Sequence, residues 1–210
     1  MQKTKDIKKI RLAVLIGKGG RIPAIYSCVK RVPNCDLVAV ISHKKKSPGL
    51  SYVKKRKIES FYFRLSDWKK HGKTREEYDL ELAKILKKRK INLVIMAGWD
   101  LIVSAGFLNQ FPNKVMNIHP SLLPSFPGTD SEKQALDYGV KYIGCTLHFV
   151  DPGIDTGAII FQRIIEIKEN ETIKSLQKKV HMKEEEIICK GIKLFSQGRL
   201  KIKGRKVSIL

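Results

Sequence analysis

Two polar residues close an otherwise apolar segment in VMNIHPSLLPSFPG, residues 115–128. Asn117 and His119 lie two positions apart, so in a strand their side chains share one face while Ile118 points to the other. Pro120 cannot donate to a strand ladder and marks the end of the strand. An amide and an imidazole at such a place can donate hydrogen bonds to a developing oxyanion, and the imidazole can also transfer a proton. These residues alone fit equally well a buried pair that only ties down the proline-rich loop.

A second polar segment is VDPGIDTG, residues 150–157, which contains two acids and two glycines. Asp and Gly are common in ordinary turns, so this loop by itself predicts only a turn. A carboxylate held near His119 would favour the charged imidazolium and fix the tautomer of the ring. Such a contact would join the two segments into one acid–base site.

A third segment is GKGGR, residues 17–21, directly after an apolar run. Glycines let backbone amides approach an anion, and a following helix presents its positive end to it. Arg21 adds a planar fork that suits phosphate oxygens. The segment does not reproduce G-x-G-x-x-G and no acid ends the second strand, which argues against a dinucleotide fingerprint. A phosphate cradle and a plain tight turn are both open at this point.

The elements that must position these segments alternate between strand and helix in the first half of the chain. Continuous apolar runs predict strands buried on both faces, and amphipathic stretches predict helices. We predict strands within 10–21 and at 35–42, 59–65, 91–98, 115–119, 143–151 and 157–167, helices at 21–32, 74–90, 130–139 and 172–198, a loop at 43–49, and a terminal hairpin from 199–202 and 205–209.

This order predicts an α/β fold with a mostly parallel, twisted sheet and helices on both faces. In such a sheet, ligands bind at the carboxyl ends of the strands, where the three polar segments fall. We expect one domain over residues 1–210, with a basic N-terminal tail over about residues 1–9.

Composition narrows the class of protein further. The 210 residues are 42% hydrophobic, yet no apolar run approaches the roughly 20 residues of a membrane helix. The four cysteines show no metal or redox spacing, and reduced thiols predict a cytoplasmic protein. The formal charge of +22 is spread over several elements and carried by 32 lysines, which favours solvated surfaces over a specific polyanion groove.

Taken together, the motifs resemble the formyltransferase family that uses 10-formyltetrahydrofolate, over about residues 10–200. The resemblance is densest in NIHPSLLPSFPG and in GCTLHFVDPGIDTGAIIFQ, which fit N-x-H-P-S-L-L-P followed by H-F-V-x-x-x-x-D-x-G. These stretches are more similar to the glycinamide branch than to the transfer-RNA or sugar branches. The resemblance implies a Rossmann-like fold, transfer of the formyl group to the primary amine of 5′-phosphoribosylglycinamide in de novo purine synthesis, and no metal.

The resemblance also implies roles for individual residues. The family's catalytic trio matches Asn117, His119 and Asp155, and a recurrent histidine beside it matches His148. The family's phosphate turn matches Gly19, Gly20 and Arg21, and its acceptor-contacting acid matches Glu184. The folate pocket corresponds to Arg75, Asp100, Leu101, Ile102, Val103 and Asn117.

Two segments depart from the family's pattern. GKGGR stands where the family has G-x-G-S-N, and WDLIV stands where it has F-M-R-I-L, so that an acid faces the expected folate pocket. These departures bear on the acceptor more than on the reaction. The alternatives are a formyltransferase for another amine, such as an amino sugar nucleotide or aminoacyl-tRNA, and a non-catalytic basic protein that binds nucleic acid.

The family resemblance also implies which molecules the protein binds. The implied partners are a small phosphorylated amine and a reduced folate, with neither a membrane nor nucleic acid expected. Transfer-RNA formyltransferases carry a further C-terminal barrel domain, for which the sequence shows no segment. The chain is expected to act as a monomer or a homodimer.

Overall fold

The computed structural model describes residues 9–210, so that the expected basic tail lies outside the described residues apart from Lys9. Among the described residues, no helix combines the length and apolar character needed to cross a membrane. The elements are β1 (Ile10–Ile16), α1 (Ile22–Val29), β2 (Cys35–Ser42), α2 (Pro48–Lys54), β3 (Glu59–Tyr62), α3 (Leu65–Lys70), α4 (Arg75–Lys88), β4 (Leu93–Ala97), α5 (Ala105–Gln110), β5 (Val115–His119), α6 (Ser131–Tyr138), β6 (Tyr142–Phe149), β7 (Ile159–Glu166), α7 (Ile173–Ser196), β8 (Leu200–Lys203) and β9 (Lys206–Ile209).

All the strands join one sheet in the order β3-β2-β1-β4-β5-β6-β7-β9-β8. The pairs from β3 through β5 are parallel, β6 runs antiparallel to both β5 and β7, and β8 and β9 form the expected terminal hairpin. The predicted α/β fold with a mostly parallel sheet is therefore confirmed. Because β1 lies between β2 and β4, the order of the strands reverses there, and in such sheets ligands bind outside the carboxyl ends of the strands at this point.

Strand burial follows from the continuous apolar runs. Side chains alternate along β1, so Leu12, Val14 and Ile16 enter one core cluster while Ala13 and Leu15 enter the other. The first cluster lies under α1, α6 and α7, and the second lies under α4 and α5. Helices therefore cover both faces of the sheet, which a parallel sheet buried on both sides requires.

Three short helices were not predicted. Helix α2 begins at Pro48 in the predicted loop, because Pro at the first helical position has the right φ and needs no partner for its missing N–H. Helix α3 begins where a longer third strand was expected, and α5 begins after Ser104, whose hydroxyl accepts from the amide of Phe107. Each is too short to show a helical period in its sequence.

The long helices begin at capping residues visible in the sequence. Thr74 and Glu77 form a reciprocal capping box at the start of α4, and Thr172 and Ser175 do the same for α7. Helix α7 carries one apolar face against β6 and β7 and contacts α1. Since α1 also follows the GKGGR turn, this packing sets α7 beside the carboxyl end of β1.

Candidate active site

Asn117 and His119 lie at the end of β5 on the face predicted from their spacing, while Met116 and Ile118 point into the opposite core cluster. His119 is buried, and Asn117 is half-buried. Strand β5 pairs with β6 so that Asn117 lies directly opposite His148. This register brings a second imidazole to the predicted pair.

The ring of His119 is oriented by a backbone carbonyl. Its Nε2 lies 2.9 Å from the carbonyl oxygen of Phe126, and Ser131 Oγ lies 3.2 Å from the same nitrogen. A carbonyl only accepts, so Nε2 carries a hydrogen and donates it there. The other nitrogen, Nδ1, faces Asp155 Oδ2 at 3.4 Å. Nδ1 is therefore the atom of His119 that can gain or lose a proton inside the site.

The two acids of the loop between β6 and β7 have different surroundings. Asp151 closes the loop on itself, because its Oδ1 accepts from the amide of Gly153 and the hydroxyl of Thr156 at 3.2 and 2.6 Å. Asp155 instead turns inward, and its Oδ2 accepts from the amide of Gly128 at 2.9 Å. Its backbone φ of 54° is in the left-handed region, a mild strain that functional sites often contain.

Asn117 is oriented by His148 and Asp155 together. Burial lowers the pKa of His148, and its Nδ1 lies 2.9 Å from the Phe149 carbonyl, so the neutral ring carries its hydrogen on Nδ1. Its bare Nε2 then accepts from Asn117 Nδ2 at 3.2 Å. The second amide hydrogen of Asn117 has only a long contact of 3.5 Å to Asp155 Oδ1. That hydrogen is available to a better acceptor, such as an oxyanion.

A second cluster lies at the carboxyl end of β1. Arg21 Nε and Nη2 both contact Glu184 Oε2 at 2.5 Å, although the two residues are 163 positions apart. Glu184 is completely buried, its Oε1 accepts no hydrogen bond from the described residues, and burial raises its pKa against the opposing effect of Arg21. The pair thus offers a ligand one buried acceptor atom beside a guanidinium.

The turn itself also offers donors. Among the described residues, the backbone amides of Gly19, Gly20 and Arg21 have no hydrogen-bond acceptor. Gly19 has a φ of +81°, and a Cβ there would meet the Cα of Gly49 at 2.9 Å, so glycine is required. Helix α1 follows with no acid in its first turn. The arrangement suits a bound anion.

The Arg21–Glu184 pair gives the first mutational prediction. Arg21→Met leaves a completely buried carboxylate without its cation, so we expect the free energy of unfolding in urea to fall by about 3 kcal/mol. Arg21→Met with Glu184→Met should recover most of this loss. The control is Arg163→Met, which breaks an exposed pair with Glu186 and should cost less than about 1 kcal/mol. An equal loss in the single and double variants would contradict the pairing.

A third group forms around the loop after β4. Arg75 contacts the carbonyl oxygen of Ile102, and its Nε lies 3.1 Å from Asp79 Oδ1. Asp79 is completely buried and accepts from the amide of Ser104 at 2.7 Å. Helix α4 therefore holds the backbone of the loop in place. Val103 is buried, Leu101 is half-buried, and Ile102 is exposed.

Asp100 is paired with the loop after β2. Lys44 Nζ contacts Asp100 Oδ2 at 2.5 Å, and His43 Nε2 lies 3.6 Å from the same oxygen. The His43 ring packs edge-on against Trp99 with centroids 4.9 Å apart. Asp100, the acid that departs from the family's pattern, is thus paired with a cation. That cation is Lys44, in the basic loop after β2.

Residues that the sequence analysis did not single out hold the cluster of Asn117, His119 and Asp155 and extend it toward Arg21. The amide of Gly128 binds Asp155, and Ser131 at the start of α6 contacts His119. Glu132, the next residue, is 7% exposed and lies among charged groups that include Arg21 and His119. No local signal distinguishes it from an acid that merely favours a helix start. The loop that Arg75 contacts begins beside the GKGGR turn, since the carbonyl oxygen of Gly98, directly after β4, accepts from the amide of Gly17 at 2.6 Å.

The class of protein that this fold and site define is an α/β protein with a glycine-rich turn suited to an anion and an amide–imidazole–carboxylate cluster near the carboxyl ends of its parallel strands. Such a cluster can stabilise an oxyanion and move a proton, the two requirements of acyl transfer.

Comparison with known proteins gives the family. A family model described as formyl transferase matches residues 10–192. A phosphoribosylglycinamide formyltransferase from Dictyostelium discoideum is 32% identical over 200 residues, covering 88% of this chain and 97% of that protein. A trifunctional purine biosynthetic protein from Chironomus tentans is 35% identical over 96% of this chain, which spans 15% of that protein's length. The chain belongs to the formyl transferase family.

A solved structure gives the same result for the fold. A glycinamide ribonucleotide transformylase from Symbiobacterium toebii is 36% identical and superposes with a TM-score of 0.92, covering 98% of this chain and 96% of the other. The fold is therefore the Rossmann-like formyltransferase fold implied by the sequence motifs.

Proposed function

We propose that this protein transfers the formyl group of 10-formyltetrahydrofolate to the primary amine of 5′-phosphoribosylglycinamide, a step of de novo purine synthesis. The observation that carries the proposal is the cluster at the end of β5 in which Asp155 contacts both Asn117 and His119. Relatives named phosphoribosylglycinamide formyltransferase that align along most of their length support it.

The first chemical step is attack of the amine nitrogen on the formyl carbon, which forms a C–N bond and places negative charge on the formyl oxygen. The loosely held hydrogen of Asn117 Nδ2 and a protonated Nδ1 of His119 are donors for that oxygen. Each such donor in a water-excluded site contributes roughly 3 to 4 kcal/mol to the transition state. The contact of Asn117 with His148 keeps the amide turned toward the site.

The second step breaks the bond between the former formyl carbon and N10 of the folate. One proton must leave the amine and one must reach N10, so the net change is a proton transfer from acceptor to donor. The contacts of Asp155 with both donors support a role for it in relaying the proton, and His119 Nδ1 is the atom that would deliver the proton to N10.

We assign the acceptor to the GKGGR turn and Glu184, and the folate to the loop after β4. The amides of Gly19, Gly20 and Arg21, which have no acceptor among residues 9–210, suit the phosphate of the acceptor. Glu184 Oε1, likewise without a partner in that range, suits a hydroxyl donor. The loop of Asp100, Leu101, Ile102 and Val103 suits the folate, with Arg75 holding its backbone and Lys44 compensating the charge of Asp100.

The domain organisation, the cellular compartment, the oligomeric state and the absence of a metal are also proposals. One sheet with continuous core clusters supports a single formyltransferase domain, predicted over residues 1–210. Four free cysteines, three of them buried, support a reducing compartment such as the cytoplasm. A monomeric or homodimeric state and chemistry without a metal stay predictions.

The test is a spectrophotometric assay with 10-formyltetrahydrofolate, or its dideaza analogue, as donor and 5′-phosphoribosylglycinamide as acceptor. We expect turnover that depends on both substrates. Folate binding without formylation of this acceptor would move the proposal to another amine, such as an amino sugar nucleotide or aminoacyl-tRNA. Absence of binding by either substrate would contradict the proposal, and salt-dependent binding of RNA would then be measured.

A further inference from the structure

Glu132 is a buried acid for which the reaction outlined above has no role. Its side chain lies in the first turn of α6 with 7% of the residue exposed. Among residues 9–210, no lysine, arginine or histidine nitrogen lies within 4 Å of its carboxylate, which accepts a hydrogen bond from its own backbone amide. A buried charge without a paired cation is costly to the folded state, so this position calls for an explanation.

Stabilisation of the helix does not provide one. An acid in the first turn favours the helix dipole, but it does so equally well from a solvent-exposed position. Other charged residues of α6 are exposed, since Lys133 and Asp137 pair with each other at the surface of the same helix. Burying the Glu132 carboxylate therefore costs desolvation free energy and adds nothing to the stability of α6.

The position of Glu132 relates it to both ends of the acceptor site. Its neighbour Ser131 contacts His119 at 3.2 Å, which places the start of α6 at the amine end. The charge of Arg21, at the phosphate end, also acts on the Glu132 carboxyl, as do those of His119 and Asp130. The Glu132 carboxyl is therefore within electrostatic range of both ends of the proposed acceptor site.

We propose that Glu132 is an acceptor-binding residue, whose carboxylate binds the amino group of the acceptor as its ammonium ion. The inference rests on the proposed function, because it requires a phosphorylated amine as the acceptor. A protonated amine supplies the cation that the described chain lacks at this position. The carboxylate would bring the nitrogen beside His119 and Asp155. The additional proton of the ammonium ion then passes to Asp155 and on to solvent before the neutral amine attacks, so that an acceptor bound as ammonium releases one proton overall.

Electrostatics supports this geometry. Burial raises the pKa of the Glu132 carboxyl, while Arg21 and His119 oppose the rise. An ammonium ion arriving next to the carboxyl favours its charged form still more strongly than these two groups do. Selectivity follows, because a neutral ligand of the same shape gains nothing from the charge.

The experiment compares two ligands that differ only in the amino group. Dissociation constants of 5′-phosphoribosylglycinamide and 5′-phosphoribosylacetamide are measured by calorimetry for the wild-type chain, Glu132→Gln and Glu132→Met. The matched control is Asp137→Asn, on the exposed side of the same helix. Glu132→Met is included because replacing a buried charge with an apolar side chain of similar length is expected to preserve folding.

For Glu132→Gln and Glu132→Met, we expect binding of the amine ligand to weaken about tenfold and binding of the acetamide to change less than twofold. The control should change neither. Equal weakening of both ligands, or of neither, overturns the inference while leaving the proposed function intact. A wild-type chain that binds neither ligand and formylates no glycinamide overturns the proposed function itself, and the inference with it.

Discussion

Asp155→Asn is expected to lower kcat for formyl transfer about 10³-fold without unfolding the protein. The asparagine retains an oxygen for the amide of Gly128, so the loop keeps its anchor. It loses the negative charge that faces His119 Nδ1 at 3.4 Å and Asn117 Nδ2 at 3.5 Å. His119 then lacks the partner for its protonated form, and the proton of the amine has no carboxylate to accept it.

The measurement is a steady-state assay of both substrates, with thermal unfolding recorded in parallel. Asp151→Asn is the matched control, since it makes the same chemical change in the same loop, and its oxygen can still accept from Gly153 and Thr156. We expect this control to retain activity within about threefold of the wild type, which corresponds to about 0.7 kcal/mol in the barrier. Equal losses in the two variants would show that the charge of the loop as a whole matters, and would remove Asp155 from the site.

Gly157→Ala is expected to lower the free energy of unfolding by about 3 kcal/mol, or roughly 8 °C in melting temperature. A Cβ at Gly157 would lie 1.7 Å from the carbonyl oxygen of Phe149 and 3.3 Å from His148 Nδ1. The nearer atom belongs to the backbone of β6, so no side chain can simply rotate away. The strand ends that carry His148 and the Asp155 loop must separate, and activity should fall as well.

The control for this variant is Gly106→Ala in α5. There the new Cβ would meet Glu76 Oε1 at 2.8 Å, the mobile end of an exposed side chain. The gain in helix propensity offsets that small displacement, so stability should change by less than about 1 kcal/mol. Calorimetric unfolding of both variants checks the comparison. A Gly157→Ala protein as stable as the control would mean that β6 and β7 approach less closely than the structure shows.

Much of the fold follows from local sequence. The apolar runs that form β1, β2, β4 and β5 are continuous because both faces of a central parallel strand are buried, and β2 and β5 begin and end where predicted. The two-residue spacing of Asn117 and His119 predicted that both side chains lie on one face of β5. The short helices α2, α3 and α5 escaped prediction because one or two turns carry too few apolar positions to show a period.

The candidate site is predictable in part. A single strand and its proline show where Asn117 and His119 lie, and the family's motifs single out Asp155. The choice between Asp155 and Asp151 is a tertiary one, since only the fold turns the first toward Gly128 and lets the second close its own loop. Local composition treats the two acids alike.

Long-range packing decides the rest. The antiparallel pairing of β5 with β6 brings His148 opposite Asn117, and the packing of α7 against α1 joins Arg21 to Glu184 across 163 positions. The burial of Glu132 likewise depends on the surface against which α6 packs. Periodicity along the chain specifies which face of an element is apolar, which is why the sequence by itself determined the strands and the polar end of β5. It does not specify which element covers that face, so the partners of these buried charges exist only in the tertiary structure.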